Sequence, residues 1–321
     1  MATIGYHASH EQYRPSSLLS NVQAAEAAGF GCAMCSDHFA PWSDAQGQSG
    51  FAWSWLGAAL QATGLPLGVV NAPGQRYHPA IVAQAAATLG EMYPDRFWLA
   101  VGSGQNLNEH ITGERWPTKD ERNERLLEAA EVMRALWKGQ EVTHYGHFVV
   151  EQAKLYTRPL TPPKLFGAAI TPETAEWVGS WADGLITIGK PIEELQEVVD
   201  AYRSGGGEGK PMLLQVQLSY APSGEEATEA AFEQWRTNIF ESPVLADLRT
   251  PAAFDAAASF VRPEDMQGPV RISADTEQHV DWLLQELELG FSEIYLHNVH
   301  RSQEAFIRDF GEHVLPRVRG S

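Results

Sequence analysis

Asp37 and His38 stand side by side in MCSDHFAPW (34–42), where an apolar run stops at an acid, a histidine and two aromatics divided by a proline. An imidazole titrates near neutrality, and an adjacent carboxylate can orient it or favour its charged form, which suits proton transfer or cofactor binding. The plainer role for the same pair is a turn, with Asp37 as its cap and His38 packed on Phe39. A third role is metal-assisted hydrolysis, with His7, His10, Asp37, His38 and His297 gathered as ligands. Against it, the HASH spacing sends His7 and His10 to opposite faces of a continuing strand, and neither H-x-H nor H-E-x-x-H occurs. The reading is therefore no metal. Cys32 and Cys35, the only cysteines, lie three apart in a strand-like apolar run and are read as buried free thiols.

Other candidates are weaker in isolation. Trp42 and the run FAWSW (Phe51, Trp53, Trp55) offer an aromatic wall to a flat ligand, or ordinary helix packing. The small-residue turn GSGQNLNE (102–109) lets backbone N–H groups approach a ligand closely. Lys190, directly after Gly189, is placed to meet an anion or simply to face solvent. No G-x-S-x-G nucleophile elbow occurs.

These residues depend for their placement on an alternation of short apolar runs with segments of helical period. The runs are 3–9, 32–37, 65–72, 96–104, 164–170, 183–189, 211–220 and 292–299, with a hairpin expected at 142–150. Pro79 opens one intervening helix and Pro94 closes it. Eight strands, each followed by a helix, give a closed (β/α)8 TIM barrel or a doubly wound sheet. The doubly wound form calls for G-x-G-x-x-G after the first strand, where the chain has YHASHEQ. The expectation is a single α/β barrel domain over 1–319, with residues 240–275 an irregular, proline-punctuated insertion before the last βα unit. The closing RGS is set aside as an appended remnant.

In a barrel, functional residues gather just past the strand C-termini. Those positions hold His7 and Glu11; Asp37, His38 and Trp42; Val69, Val70 and Asn71; Ser103, Gln105 and Asn108; Ile170 and Thr171; Thr187 and Lys190; and His297 and Asn298.

Composition narrows the partners. Hydrophobic residues make up 44% and charged residues 20%, as in a globular core-forming chain. A formal net charge of -18 argues against nucleic acid. No apolar stretch approaches the roughly 20 residues of a membrane helix. With no signal peptide visible, the expected setting is the cytoplasm.

The motifs GYHASHEQY, SDHFAPW, RYHPAIVAQAAATLGEMYPDRFWLAVGSGQNLNEHITG, ADGLITIGK and the run from GFSEIYLHNVH to VLPRVR resemble the luciferase-like family of flavin-dependent (β/α)8 oxidoreductases. The nearest branch is the one containing glucose-6-phosphate dehydrogenase dependent on coenzyme F-420 (F420), a deazaflavin. The resemblance implies that Asp37 contacts the cofactor ring and that His38 is the catalytic base or charge stabiliser. It places Trp42 on the substrate side and Glu11 as a polar partner. It also implies a cis peptide between Val69 and Val70 behind the ring, with Ser103, Gly104 and Asn108 holding the cofactor.

The chain departs from that pattern in three places. Gln105 stands where the sugar-phosphate enzymes carry an acidic proton donor, and Glu109 is no obvious substitute. Ile170 and Thr171 replace a glycine pair near the cofactor phosphate. Lys190 alone matches the basic residues that bind the sugar phosphate, although Arg271 is close. The expectation is hydride transfer between a small organic substrate and FMN or F420, leaning to FMN, and not specific for glucose 6-phosphate. Family analogy adds a homodimer. The alternatives are an FMN-dependent monooxygenase, a barrel that only binds flavin, and a metal-dependent hydrolase on the same barrel.

Overall fold

The computed structural model describes residues 2–318, so the closing RGS lies outside the described residues. In chain order the first half contains β1 (Thr3–Ala8), α1 (Pro15–Ala28), β2 (Cys32–Ser36), α2 (Ala52–Ala62), β3 (Leu67–Asn71), α3 (Pro79–Met92) and β4 (Phe97–Val101). Next come α4 (Asn106–Glu109), α5 (Lys119–Trp137) and the antiparallel hairpin β5 (Val142–Tyr145) and β6 (Val149–Ala153). The second half contains β7 (Lys164–Ala168), α6 (Pro172–Trp181), β8 (Gly184–Ile188), α7 (Ile192–Tyr202), β9 (Met212–Ser219) and α8 (Gly224–Trp235). It continues with α9 (Ser242–Asp247), α10 (Pro251–Ala257), β10 (Arg271–Ile272), α11 (Thr276–Glu288), β11 (Glu293–Asn298), α12 (Gln303–Asp309) and α13 (Leu315–Val318).

Strands β11, β1, β2, β3, β4, β7, β8 and β9 pair in parallel, and the β9–β11 and β8–β9 pairings close them into the eight-stranded (β/α)8 TIM barrel. Alternation within each strand sorts side chains to two layers. In β2, Cys32 and Met34 point into the barrel with Trp98, Phe166 and Tyr295, whereas Ala33 and Cys35 face the surrounding helices. The two cysteines are therefore buried free thiols on opposite faces of one strand. The interior is plugged by Trp98, which lies 5.4 Å from Phe166 and 5.8 Å from Tyr295 between ring centroids. Gly68 makes room for it, since a Cβ there would sit 1.9 Å from the indole.

Helix starts follow the expected chemistry. Pro79 opens α3, and Thr118 with Glu121 forms a reciprocal capping box on α5. Two features differ from the sequence reading. The barrel carries α11, unassigned from sequence, packed before β11. Residues 240–275 supply α9 and α10 and also β10, a ninth strand lying parallel to β9.

The cis peptide implied between Val69 and Val70 is corrected. No cis bond occurs among the described residues. Here β3 keeps an unbroken parallel register, Val69 and Val70 opposite Cys35 and Ser36 on one side and Leu99 and Ala100 on the other.

Candidate active site

The mouth of the barrel is built outward from β2. The Asp37 backbone N–H donates to Val70 O at 3.1 Å, which extends the β2–β3 pairing by one residue and fixes where the acid projects. Its carboxylate accepts from Asn71 Nδ2 at 2.8 Å and Tyr77 Oη at 3.1 Å, and Arg76 Nη1 lies 3.5 Å away. Arg76 also donates from Nη2 to Asp37 O at 2.6 Å and, on its other side, from its backbone N–H to Glu109 Oε2 at 2.7 Å. Burial pushes the Glu109 carboxyl above its ordinary range, and the Arg76 guanidinium pulls it back only in part.

The next residue, His38, brings its Nδ1 to 2.7 Å from Glu11 Oε1. Glu11 leaves the chain just after β1, and its carboxylate also accepts from Ser36 Oγ at 2.6 Å and Ser9 Oγ at 2.9 Å. Burial alone would raise this carboxyl, but the charge and hydrogen bond of His38, with the Ser36 hydroxyl, hold it well below the usual range. Nδ1 faces the Glu11 carboxylate, so Nε2 is the ring nitrogen left to exchange a proton. Trp42 meets the imidazole edge-on at 5.3 Å and is itself backed by Phe254 of α10 at 5.2 Å. The irregular segment thus holds a tryptophan in place against the histidine, a long-range contact that local sequence pattern does not reveal.

Beneath Glu11 the barrel interior is imidazole-rich. His7 stacks on His297 at 4.4 Å, and both are held uncharged by burial, with His297 pulled down to about 4. His10 diverges from His7 and packs on Trp55 instead.

A cavity of about 820 Å³ opens beside this cluster. Asp37, His38, Val70, Ser103, Gly104, Gln105, Asn108, Ile170 and Thr171 all line it. Gly104, at φ 85°, turns the chain out of the segment after β4 and into α4 through the left-handed region that a side chain disfavours. Asn108 commits its Oδ1 to the backbone N–H groups of Phe39 and Ala40, at 2.9 and 3.2 Å, and so ties down the loop carrying His38. Thr171 caps α6.

Eight predicted residues stand apart from the lining, among them the buried His7, Thr187, His297 and Asn298. Glu11 and Trp42 act behind His38. Val69 points outward into the helix layer. Lys190 pairs with Glu194 at 3.5 Å, one helical turn on. Arg271, noted as near the sugar-phosphate positions, is paired with Glu286 at 2.5 Å.

Sequence reading missed Arg76 and the far wall of Trp116, Lys119, Arg122 and most of α9, and it set aside Glu109, which lines the cavity. The sole sequence signal for Arg76 was its place in RYHP, between a strand end and Pro79.

The cavity fits a flat, tailed ligand. Its volume lies within the range of cofactor pockets. Small residues, among them Gly102, Ser103, Gly104, Ala168 and Ala169, leave a smooth wall for a planar ring, and polar and cationic groups lie towards α5.

Residues 2–293 match the family model described as luciferase-like monooxygenase. The chain belongs to this family. Among its relatives, F420-dependent glucose-6-phosphate dehydrogenase of Beutenbergia cavernae is 35% identical, with 99% of this chain and 98% of that protein covered. The protein of the same name from Mycobacterium tuberculosis is 32% identical, with 98% of each covered. A solved F420-dependent secondary alcohol dehydrogenase in complex with an F420–acetone adduct superposes with a TM-score of 0.91 at 32% identity, covering 99% of this chain and all of that one. Membership of this family makes the chain an oxidoreductase built for a flavin-type or deazaflavin cofactor. The lean to FMN finds no support in these relatives, which are named for F420. No helix among the described residues is long and apolar enough to cross a membrane.

Proposed function

We propose that this protein transfers hydride between a small uncharged alcohol or carbonyl compound and a bound deazaflavin of the F420 type. The carrying observation is the His38–Glu11 pair, 2.7 Å apart at the edge of a cavity walled by small residues.

Val70, the 102–104 turn and Ala168 would hold the ring, with Asp37 and Asn71 at its edge. The bound cofactor supplies the site that accepts or gives up hydride. The protein's own task is to place the substrate and handle its proton. For alcohol oxidation, His38 Nε2 would take the hydroxyl proton, with the Glu11 carboxylate 2.7 Å from Nδ1 on the ring's other side. Gln105 carries no exchangeable acid proton, so His38 does this work without a second acid at that position.

The uncharged substrate is inferred from what the site lacks. Arg76 is the one cationic side chain lining the His38 end, and it is already engaged by Asp37 and Glu109. Lys190 is drawn to Glu194, which leaves a sugar phosphate without its expected partner. The solved relative that carries an F420–acetone adduct supports a small uncharged carbonyl. A second reading keeps the same hydride chemistry with FMN; the side chains of Ile170 and Thr171, where the resemblance implies glycines, favour it.

The test is titration of the purified chain with F420 and FMN by tryptophan fluorescence, followed by turnover of 2-propanol and acetone. Micromolar binding of F420 is expected, and His38→Ala should cut turnover by about 100-fold or more with cofactor affinity intact. Failure to bind either cofactor, or unchanged turnover in the variant, defeats the reading.

A further inference from the structure

The far end of the cavity carries charge that the chemistry at His38 does not use. Lys119 and Arg122 line it at the start of α5, facing Thr171 and Thr174 of α6 and near Trp116. Arg122 is only 6% exposed. Its guanidinium lies 4.5 Å over the Trp116 ring, and Nη1 donates to Pro117 O at 2.8 Å. Its Nε has no partner. Arg115 is matched by Glu121 and Lys119 by Glu173 at 3.9 Å; among the described residues neither Arg122 nor the buried Arg125 forms an ion pair, but Arg125 donates to Gln75 Oε1 and only Arg122 of the two lines the cavity. The acid that acts on it, Asp247, accepts instead from Trp116 Nε1 at 3.1 Å.

A nearly buried guanidinium without a counter-ion is costly. A chain of net charge -18 does not lack carboxylates to offer it. Such a group is suited to an anion that arrives with a ligand. We propose that Arg122, assisted by Lys119, is the seat of the cofactor's phosphate ester, which binds the α5 wall of the cavity. The inference rests on the flavin-type reading above, and it explains how the site dispenses with a glycine cradle at residues 170 and 171. The planar guanidinium suits two-point contact with phosphate oxygens.

The test compares ligands that share a ring and differ in the phosphate: FMN against riboflavin, and F420 against its riboside lacking the phosphate. Affinities are read by fluorescence for the wild type, Arg122→Gln and Arg122→Lys. For whichever ring binds, the wild type should prefer the phosphorylated form by about 10- to 100-fold. Arg122→Gln should bring the two forms within about 3-fold of each other while the phosphate-free form binds as before, with Arg122→Lys between. A preference retained in Arg122→Gln, or an equal loss for both forms, overturns the proposal.

Inorganic phosphate supplies an arm independent of the ring. It should raise the melting temperature of the wild type and not that of Arg122→Gln. If neither ring binds the wild type, the cofactor reading falls. In that case a phosphate shift abolished in the variant still upholds the anion seat, and an equal or absent shift overturns it.

Discussion

Replacing His297 with Gln should flatten the acid side of the stability curve by an amount that follows from the structure. His297 is 2% exposed, and its Nε2 lies 2.8 Å from Gln12 Oε1. Burial pulls its folded value down to about 4, against about 6.5 in an unfolded chain. A depressed value means the unfolded state binds the proton first, so stability is full above about 6.5 and is lost as pH falls towards 4. At pH 5 the unfolded imidazole is protonated by about 30 to 1, whereas the folded one is protonated in only about one molecule in ten. The difference is about 2 kcal/mol of stability lost between pH 7.5 and 5 through this one side chain. His7 and His279, also depressed by burial, act in the same direction. Glu286, raised by burial to about 7, opposes them because it gains stability as it protonates. The wild-type curve therefore mixes signs, and the informative quantity is a difference between proteins. In His297→Gln the new side-chain amide can still donate to Gln12 and does not titrate. Urea unfolding at pH 7.5 and 5, followed by tryptophan fluorescence, should show the variant losing about 2 kcal/mol less than the wild type over that interval. Losses equal within about 0.5 kcal/mol would refute the assignment of a buried neutral imidazole beneath Glu11.

Three further outcomes follow from single contacts. Glu11→Gln keeps the size and removes the charge beside His38 Nδ1, so single-turnover hydride transfer should slow by about 100-fold with cofactor affinity little changed. Gly68→Ala drives a Cβ to 1.9 Å from the Trp98 indole, with β3 fixed on both sides. It should cost about 3 kcal/mol, read as a lowered urea midpoint. Lys190→Ala loses a part-exposed pair with Glu194 and no cavity contact, so stability should change by less than about 0.5 kcal/mol and substrate KM should hold. A large rise in KM would instead place the substrate at Lys190.

The barrel was legible because its strands are short apolar runs punctuated by proline and by helical period, and its closed topology then put Asp37, His38 and Gln105 at one mouth. Helix α11 escaped because its inward face is broken by polar residues: His279 and Glu286 are buried alongside Val280 and Leu283, so the apolar stripe is interrupted. The pairing of Arg76 with Glu109 escaped for a different reason. Their pairing spans 33 residues of chain, and nothing local marks either as a partner. Trp42 was named from its place after β2 and lies against His38 rather than on the cavity lining; its backing by Phe254 depends on a fold-back that no periodicity encodes. The peptide geometry at Val69–Val70 came from resemblance alone, and the regular ladder there differs from it.

The absent acid at residue 105 changes meaning once the charges along the cavity are set out. Around His38 stand the carboxyl groups of Asp37, Glu109 and Glu11, with Arg76 as the one guanidinium among them, bound to two of the three. Glu109 cannot take over as proton donor without releasing Arg76, whose backbone and side chain both bind it. Loss of hydride from an alcohol develops positive charge at the carbinol carbon, and an acid-rich surround with few cations favours that charge. The same surround repels an anionic substrate. At the opposite end Lys119 is paired with Glu173 and Asp247 lies near Arg122, but among the described residues Arg122 forms no ion pair. On the proposal above, a ligand with an anionic tail would lie along the cavity with its tail at Arg122 and its head at His38. An acid at residue 105 would steepen the negative end but is not needed for that polarity. The proposed function thus divides the tasks: the β2 end would handle the proton of an uncharged substrate, and Arg122 at the α5 end would anchor the cofactor.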